Sequence, residues 1–266
     1  MTPQAFFAQL WQNYIEITPQ AEQIRQLFAA TDGEVINDHV AFRTFANTAL
    51  QLDNLVPLIL EMGYEVQGDY EFKAKKLRAK SFIHPDHTVP KIFISELLTD
   101  QLSEQAQQII AKYTAEITEQ PMDQSVFSSG RHWSTPAWED YQTVMAESEY
   151  GAWLLAIGIR VNHFTVSINH LNSTNCIREV LQRVKDAGFA VNTVGGEVKG
   201  TPESLLEQGS SMADRMAFTF ADGQEHEIAT CFYEFALRHA DNEGIVYQGF
   251  IEANADKIFE STNIAA

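Results

Sequence analysis

Two histidines occupy the same place in two similar stretches of the chain. His39 lies in Asp38-His39-Val40-Ala41-Phe42, and His163 lies in Asn162-His163-Phe164-Thr165-Val166. In each stretch a helix-like segment follows and ends at a glycine and an aromatic residue. The glycine is Gly63, 24 residues after His39, and Gly188, 25 residues after His163. Imidazole nitrogen is a common metal ligand, so two units with one histidine each predict a metal site gathered between two modules. Such sites are typical of oxygen-using or lyase-type metalloenzymes.

A carboxylate completes the predicted metal site. Glu234 lies in the closing strand of the second module, where it alternates inward with Thr230 and Phe232. Two histidines and one carboxylate on three strands form a facial triad, which leaves open positions on an octahedral metal and suits Fe(II) chemistry with substrate and O2 side by side. Glu96 holds the matching place at the end of the first module. It is a rival third ligand and a candidate fourth ligand.

Arg43 is the candidate substrate anchor. Because side chains alternate along a strand, His39 and Arg43 share one face, about 13 Å apart along the chain. One group can then hold a metal while the other reaches a substrate carboxylate. Guanidinium matches a carboxylate in two-pronged geometry, so the pair predicts an acidic substrate. The remaining histidines have no repeated counterpart and are interpreted as structural or exposed.

The pattern of apolar residues predicts one α+β domain over residues 1–266. Its predicted segments are N-terminal helices (1–30), a first module (31–99), a helical insertion (100–157), a second module (158–240) and a C-terminal tail (241–266). Both modules are predicted as βαβββ units that form a curved sheet around the metal site. Whether residues 100–157 form a lid or only pack against the core stays open at this stage.

Within this frame the sequence predicts particular elements. They are a strand over 38–45, helices over 52–62, 101–117, 137–155 and 174–187, strands over 190–194, 216–221 and 227–235, and a hairpin turn at Asp222-Gly223.

Composition excludes several classes of partner. The 266 residues carry 18 basic and 36 acidic side chains, a net charge of −18, which would repel nucleic acid and anionic membranes. The N-terminus lacks the basic region of a signal peptide, and the longest apolar stretch, 152–159, is too short to span a bilayer. Cys176 and Cys231 match no metal-binding spacing and are interpreted as reduced thiols. We therefore expect a cytoplasmic protein.

Several motifs together resemble one known family. They are the stretches 37–43, 148–153, 161–166, 209–215, 220–223 and 232–238, which read NDHVAFR, SEYGAW, VNHFTV, GSSMADR, FADG and FYEFALR. The chain resembles the 2-oxoadipate dioxygenase/decarboxylases, which have a vicinal oxygen chelate-like core, from about residue 30 to residue 255. The better-known bacterial members are longer.

The resemblance implies an Fe(II)-dependent enzyme of lysine breakdown that converts 2-oxoadipate and O2 to 2-hydroxyglutarate and CO2. Position by position, His39, His163 and Glu234 match the metal ligands of the family, which favours Glu234 over Glu96. Arg43 matches the residue that binds a substrate carboxylate, so His39 and Arg43 are expected to face the substrate.

Two other functions compete with this one. The same scaffold with another divalent metal performs lyase or isomerase reactions of the glyoxalase type, and a fourth ligand from Glu96 would favour that. Alternatively, the cleft is a non-catalytic binding site for a small acid. A metal-dependent hydrolase is a weaker possibility, because no obvious general base lies beside the triad.

Overall fold

Strands from both predicted modules lie in one curled seven-stranded sheet in the computed structural model, which describes residues 1–118 and 121–263. Residues 119–120 of the predicted insertion and 264–266 of the predicted tail lie outside the described residues. The strands are β1 (Asn37–Phe45), β2 (Glu65–Phe72), β3 (Leu77–Ile83), β4 (Lys91–Leu97), β5 (Val161–Ser167), β6 (Leu206–Ser210), β7 (Arg215–Thr219), β8 (Glu225–Ala229) and β9 (Phe232–Arg238). The helices are α1 (Pro3–Ile17), α2 (Pro19–Asp32), α3 (Leu52–Leu60), α4 (Glu104–Thr114), α5 (Trp138–Met145), α6 (Glu149–Ile157), α7 (Ile177–Asp186) and α8 (Glu252–Ile258).

The two modules meet at the centre of this sheet. Its strand order is β2-β3-β4-β1-β5-β9-β6, and the central pair β1 and β5 is antiparallel. Each central strand is parallel to the last strand of its own module, β1 to β4 and β5 to β9. The duplication seen in the sequence is therefore a duplication of strand pairs, and it places the two histidine-bearing strands side by side.

The first module is the predicted βαβββ unit, and the second departs from it. β7 and β8 pair only with each other, as a hairpin outside the main sheet, with Gly223 at φ 77° in the predicted turn. The predicted strand over 190–194 is wrong, because Gly195 and Gly196 adopt positive φ and turn the chain after a single bridge at Val191. The predicted strand over 227–235 is two strands, β8 and β9.

The predicted helix over 137–155 is also wrong in its continuity. The chain forms α5 and α6, and Ser148 separates them by accepting a hydrogen bond from the backbone N–H of Gly151. A serine in this N-cap position starts a new helix because it satisfies a free N–H of the first turn. Every residue of α6 after Glu149 is buried, and the Trp153 indole donates to the carbonyl of Thr230 in the second module. This part of the insertion is core packing.

The two faces of the central strands carry different chemistry. On the outer face, Phe164 of β5 packs against Trp11 and Tyr14 of α1, with ring centroids 5.1 and 5.2 Å apart. The polar side chains lie on the inner, concave face. The C-terminal segment crosses that face, where Phe250 contacts the His39 ring at 4.8 Å. Among the described residues, no helix combines the length and apolar character needed to cross a membrane.

Candidate metal centre

Three adjacent strands bring the predicted ligands together. His39 is on β1, His163 on β5 and Glu234 on β9, and all three side chains are buried. One ligand atom from each lies within 4.8 Å of the others, and within the described part of the chain this is the one such group of three. His39 Nε2 is 3.7 Å from Glu234 Oε1, and His163 Nε2 is 3.1 Å from Glu234 Oε2.

A β-bulge precedes each histidine and supplies its orienting partner. In the β1–β5 ladder, Asp38 is the extra residue before His39, and Asn162 is the extra residue before His163. A bulge breaks the strict alternation of faces and re-aims a side chain. The Asp38 carboxylate therefore accepts from Nδ1 of His39 at 2.8 Å, and the Asn162 carbonyl accepts from Nδ1 of His163 at 3.1 Å. Both imidazoles carry their proton on Nδ1 and keep Nε2 as a lone-pair donor towards a metal.

The Asp38 carboxylate is held by a buried ion pair. Arg238 donates to it from Nε at 2.7 Å and from Nη2 at 2.9 Å, and the same guanidinium donates to the carbonyls of Tyr247 and Gly249. Burial alone would raise the pKa of Asp38, but the Arg238 and Lys91 charges and the hydrogen bonds from His39 and Arg238 together outweigh it and hold that pKa well below its usual range. His39 is thus oriented by an ionised group, whereas His163 is oriented by a neutral amide.

Glu234 presents one oxygen that no protein donor satisfies. Its Oε1 accepts from the Gln208 amide at 2.6 Å, but Oε2 is buried without a hydrogen-bond partner among the described residues. Burial would raise the pKa of Glu234, yet the imidazoles of His39 and His163 outweigh this and lower it. Burial lowers the pKa of His163. At neutral pH the Glu234 carboxylate therefore faces a neutral His163 imidazole.

This donor set fits a divalent metal ion. The Nε2 lone pair of His163 and the Oε2 lone pairs of Glu234 face each other at 3.1 Å, and two acceptors at that distance repel unless a cation lies beside both. Two imidazoles and one carboxylate, with open positions left over, match the donors that non-haem Fe(II) prefers. Thr165 also belongs to the site, because its hydroxyl lies 3.0 Å from His39 Nε2.

Arg43 lies on the same face of β1 as His39, as predicted, but it is not free. Its guanidinium donates to Glu149 at 3.3 Å and to Thr262 at 2.9 Å, and it stacks over the ring of Tyr150 at 4.8 Å. Its Nε–H is buried without a partner in the described chain. The positive charge of Arg43 also contributes to the lowered pKa of His163. The arginine is therefore pre-positioned beside the triad with one donor still unused.

Glu96 does not join the cluster. It pairs with Thr44 of β1, which lies on the face opposite to His39. One Glu96 oxygen accepts the backbone N–H of Leu52, at the start of α3, at 2.6 Å, and the other accepts from Arg78 Nε at 2.5 Å. Both oxygens are thus engaged in holding the helix and the sheet edge, and Glu96 is not placed to act as a ligand.

Sequence reasoning missed the residues that support the triad. Asp38 and Asn162 could have been found from the sequence, because each directly precedes a repeated histidine and each has a side-chain oxygen that can accept a hydrogen bond. Gln208 and Arg238 left none, since their partners lie 26 and 200 residues away in sequence. Among the histidines interpreted as structural, His170 bonds to Ser167 and is not a member of the three-residue cluster.

The fold and the site together define two strand modules that share one curled sheet and carry a buried cluster of two histidines and one glutamate that could hold a metal ion. A glyoxalase superfamily protein from Ralstonia eutropha shares the fold, with a TM-score of 0.77 and 22% identity over 93% of this chain and 85% of that one. The model of the 2-oxoadipate dioxygenase/decarboxylase family matches residues 6–242, so this chain belongs to that enzyme family.

Two relatives support the assignment. The chloroplastic/amyloplastic 2-oxoadipate dioxygenase/decarboxylase of Oryza sativa is 37% identical over 94% of this chain and 76% of its own length. The crystal structure of the Oryza sativa hydroxyglutarate synthase in complex with 2-oxoadipate has a TM-score of 0.88 and 36% identity, covering 99% of this chain and 94% of that one. The resemblance noted from the sequence motifs is confirmed.

Proposed function

We propose that this protein is an Fe(II)-dependent dioxygenase that converts 2-oxoadipate and O2 to 2-hydroxyglutarate and CO2. The observation that carries the proposal is the buried cluster of His39, His163 and Glu234 with its orphaned carboxylate oxygen, in a chain of this enzyme family. The reaction balances without a further reductant, because the six-carbon oxo acid and both oxygen atoms account for all atoms of the two products.

The side chains around the candidate metal centre would have separate roles in this reaction. His39, His163 and Glu234 would hold the metal, which supplies O2 activation when bound and a chelating position for the 2-oxo acid. Asp38 and Asn162 keep both histidines in the tautomer that presents Nε2. Arg43 would bind a substrate carboxylate through the Nε–H that has no hydrogen-bond partner among the described residues. Phe250, packed on the His39 ring, would exclude water from the reacting groups.

The glyoxalase-type alternative is disfavoured by the ligand count. The rival fourth ligand, Glu96, faces the opposite side of the sheet and has both oxygens occupied. A binding protein without catalysis would have no need of three buried, oriented ligands with one oxygen unsatisfied. Burying such polar groups costs stability unless a partner such as a metal compensates.

Oxygen uptake tests the proposed function directly. Anaerobically purified protein would be reconstituted with Fe(II), given 2-oxoadipate, and followed by an oxygen electrode with CO2 and 2-hydroxyglutarate assays. We expect iron-dependent uptake with one CO2 released for each O2 consumed, and loss of both activity and bound iron in His163→Ala. Iron binding without oxygen consumption would reject 2-oxoadipate as substrate. Absence of metal binding would favour the binding-protein alternative.

Iron as the native metal, a place in lysine breakdown and a cytoplasmic location are parts of the same proposal. The donor set supports iron, and the acidic composition is compatible with an aqueous compartment. The plant relatives are described as chloroplastic, so the compartment stays a prediction. Metal analysis of protein purified from its native host without added metal would test the iron assignment.

A further inference from the structure

A recess lies at the end of β1 away from Arg43, next to the metal centre. Its volume is about 300 Å3, and Asp38, Lys91 and Arg238 line it together with two histidines, His87 and His170. Neutral polar side chains, among them Asn37 and Ser167, line it as well. Asp38 belongs both to this recess and to the support of His39. The recess therefore borders the metal centre without sharing a predicted metal ligand.

Lys91 is the unusual member of this recess. It is only 5% exposed, and it pairs with His39 in the β1–β4 ladder, so the two side chains rise from the same face. Its ammonium group makes no hydrogen bond or ion pair with any residue in the described ranges 1–118 and 121–263. An ammonium group largely removed from water without a hydrogen-bond partner is costly, and the attraction of the Asp38 carboxylate offsets only part of that cost. Desolvation accordingly lowers the pKa of Lys91 to about 8.

The neighbouring carboxylate does not satisfy Lys91. Both oxygens of Asp38 accept from Arg238, and one of them also accepts from His39. With the two lining histidines counted as neutral, the two cations and one anion give the recess one positive charge more than negative. This excess stands out in a protein whose net charge is −18. One monovalent anion would neutralise the recess.

We propose that this recess binds one carboxylate group, with Lys91 as its charged anchor. A carboxylate matches the single excess charge, whereas a phosphate dianion would leave a buried negative charge uncompensated. Asn37 can add a donor, because its carbonyl oxygen accepts from the Tyr233 hydroxyl and its amide nitrogen makes no hydrogen bond within residues 1–118 and 121–263. Charge-assisted hydrogen bonds of this kind are the strong ones.

The carboxylate could come from two sources. It is either the far carboxylate of a dicarboxylate substrate whose 2-oxo end lies at the triad, or a separate small monocarboxylate. The first source rests on the proposed function and deepens it, since Lys91 would then help to select dicarboxylates. The second source would make the recess an independent anion site whose occupant contacts Asp38, the residue that orients His39.

Acetate binding to metal-free protein tests the site without relying on catalysis. Calorimetric titration of the full chain with sodium acetate, against sodium chloride at equal ionic strength, would be compared among wild type, Lys91→Met and Lys91→Arg. We expect saturable binding to wild type, at least tenfold weaker binding to Lys91→Met, and substantial retention in Lys91→Arg. Lack of binding to wild type, or equal binding to Lys91→Met, would overturn the proposal. Circular dichroism of each variant checks that it is folded.

Kinetics of the iron-loaded protein then distinguish the two sources. 2-Oxoadipate would be compared with 2-oxohexanoate, which has the same chain length but no far carboxylate. A tenfold or larger rise in KM for 2-oxoadipate alone in Lys91→Met, with competitive inhibition by acetate in wild type, identifies the substrate carboxylate. Unchanged KM values with non-competitive acetate effects identify a separate anion. If the protein shows no oxygenase activity, the proposed function fails while the acetate result still decides this site.

Discussion

Phe93 occupies in the first module the position that Glu234 occupies in the second. Phe93 of β4 pairs with Ala41, two residues after His39, and Glu234 of β9 pairs with Thr165, two residues after His163. The duplicated frame thus offers a fourth ligand position and fills it with an aromatic side chain. Phe93 is buried and packs on Phe250 with ring centroids 5.1 Å apart.

Replacing Phe93 with a carboxylate should convert the three-ligand site into a four-ligand one. An octahedral ion held by three side chains keeps three positions for a chelating oxo acid and O2, whereas four side chains leave two. We expect Phe93→Glu to bind Co(II) or Zn(II) at least tenfold more tightly and to lose oxygen uptake. Visible absorption of the Co(II)-loaded protein reports the change in coordination. Phe93→Leu is the control and should keep the wild-type spectrum, and an unchanged spectrum in Phe93→Glu would contradict the prediction.

Glu96→Gln separates a structural carboxylate from a ligand. The Glu96 carboxylate accepts hydrogen bonds from the backbone N–H of Leu52 and from Arg78 Nε, and the Glu96 side chain is fully buried. Removing the charge should lower the free energy of unfolding of metal-free protein by about 1–3 kcal/mol, measured by urea denaturation. Metal affinity should stay within a factor of two of wild type. A tenfold loss of affinity would restore Glu96 as a ligand candidate.

Asp38→Asn should affect both stability and metal binding. The substitution leaves the buried Arg238 guanidinium without its carboxylate, which costs about 3–5 kcal/mol of unfolding free energy. Loss of the charged support of His39 should also weaken metal binding about 10- to 100-fold. Asn162→Leu is the matched comparison, because it removes the carbonyl oxygen that accepts from His163 Nδ1 and leaves no charged group without its partner. It should weaken metal binding with a smaller loss of stability, and equal destabilisation by both variants would argue against the buried ion pair.

The sequence was sufficient to pair the two histidines because they belong to a repeat, whereas Glu234 was preferred to Glu96 only through the family resemblance. His39 and His163 are found by their similar spacings of 24 and 25 residues to a glycine, and alternation along β9 turns Glu234 inward with them. The same reasoning placed Glu96 as an equivalent of Glu234, which was wrong because a two-residue alternation cannot show register between strands. Phe93, three residues earlier, is the true counterpart.

Other errors in the predicted fold have equally local causes. The break between α5 and α6 depends on the side chain of Ser148, which competes with a continuous helix by capping the next one. The β7–β8 hairpin leaves the main sheet although its strand pattern and its turn at Gly223 are those of an ordinary meander. Which hairpin joins a sheet is decided by tertiary packing, here against Trp138, whose ring stacks on His226 at 3.7 Å.

Arg43→Lys should impair substrate binding more than metal binding. Lysine keeps the positive charge but loses the planar fork and the Nε–H that stands unused beside the triad. We expect KM for 2-oxoadipate to rise at least tenfold while Fe(II) affinity changes less than threefold. Steady-state oxygen uptake and a separate metal titration measure the two effects. Arg160→Lys, a partly exposed arginine on the Glu16 side chain, is the control, and parallel loss of iron and activity in Arg43→Lys would refute the anchoring role.

Lys91→Met should make metal-free protein more stable at neutral pH and change how its stability depends on pH. The pKa of Lys91 is lowered to about 8 in the folded protein, so between pH 8 and the unfolded value of about 10.4 the unfolded chain holds more protons. Wild-type stability should therefore rise with pH across that window. A pKa shift from about 10.4 to about 8 corresponds to about 3 kcal/mol of unfolding free energy.

Lys91→Met removes the cost of holding a charged ammonium in the folded protein. Its unfolding free energy should therefore exceed that of wild type near pH 7 and approach the wild-type value near pH 10. Urea denaturation at several pH values, in buffers free of carboxylates, measures the difference. Lys199, whose pKa burial also lowers to about 8, remains in both proteins and accounts for a residual rise in the variant. Lys73→Met, at an exposed position, should follow wild type. Identical pH profiles for Lys91→Met and wild type would show that Lys91 is not a buried, unsatisfied charge.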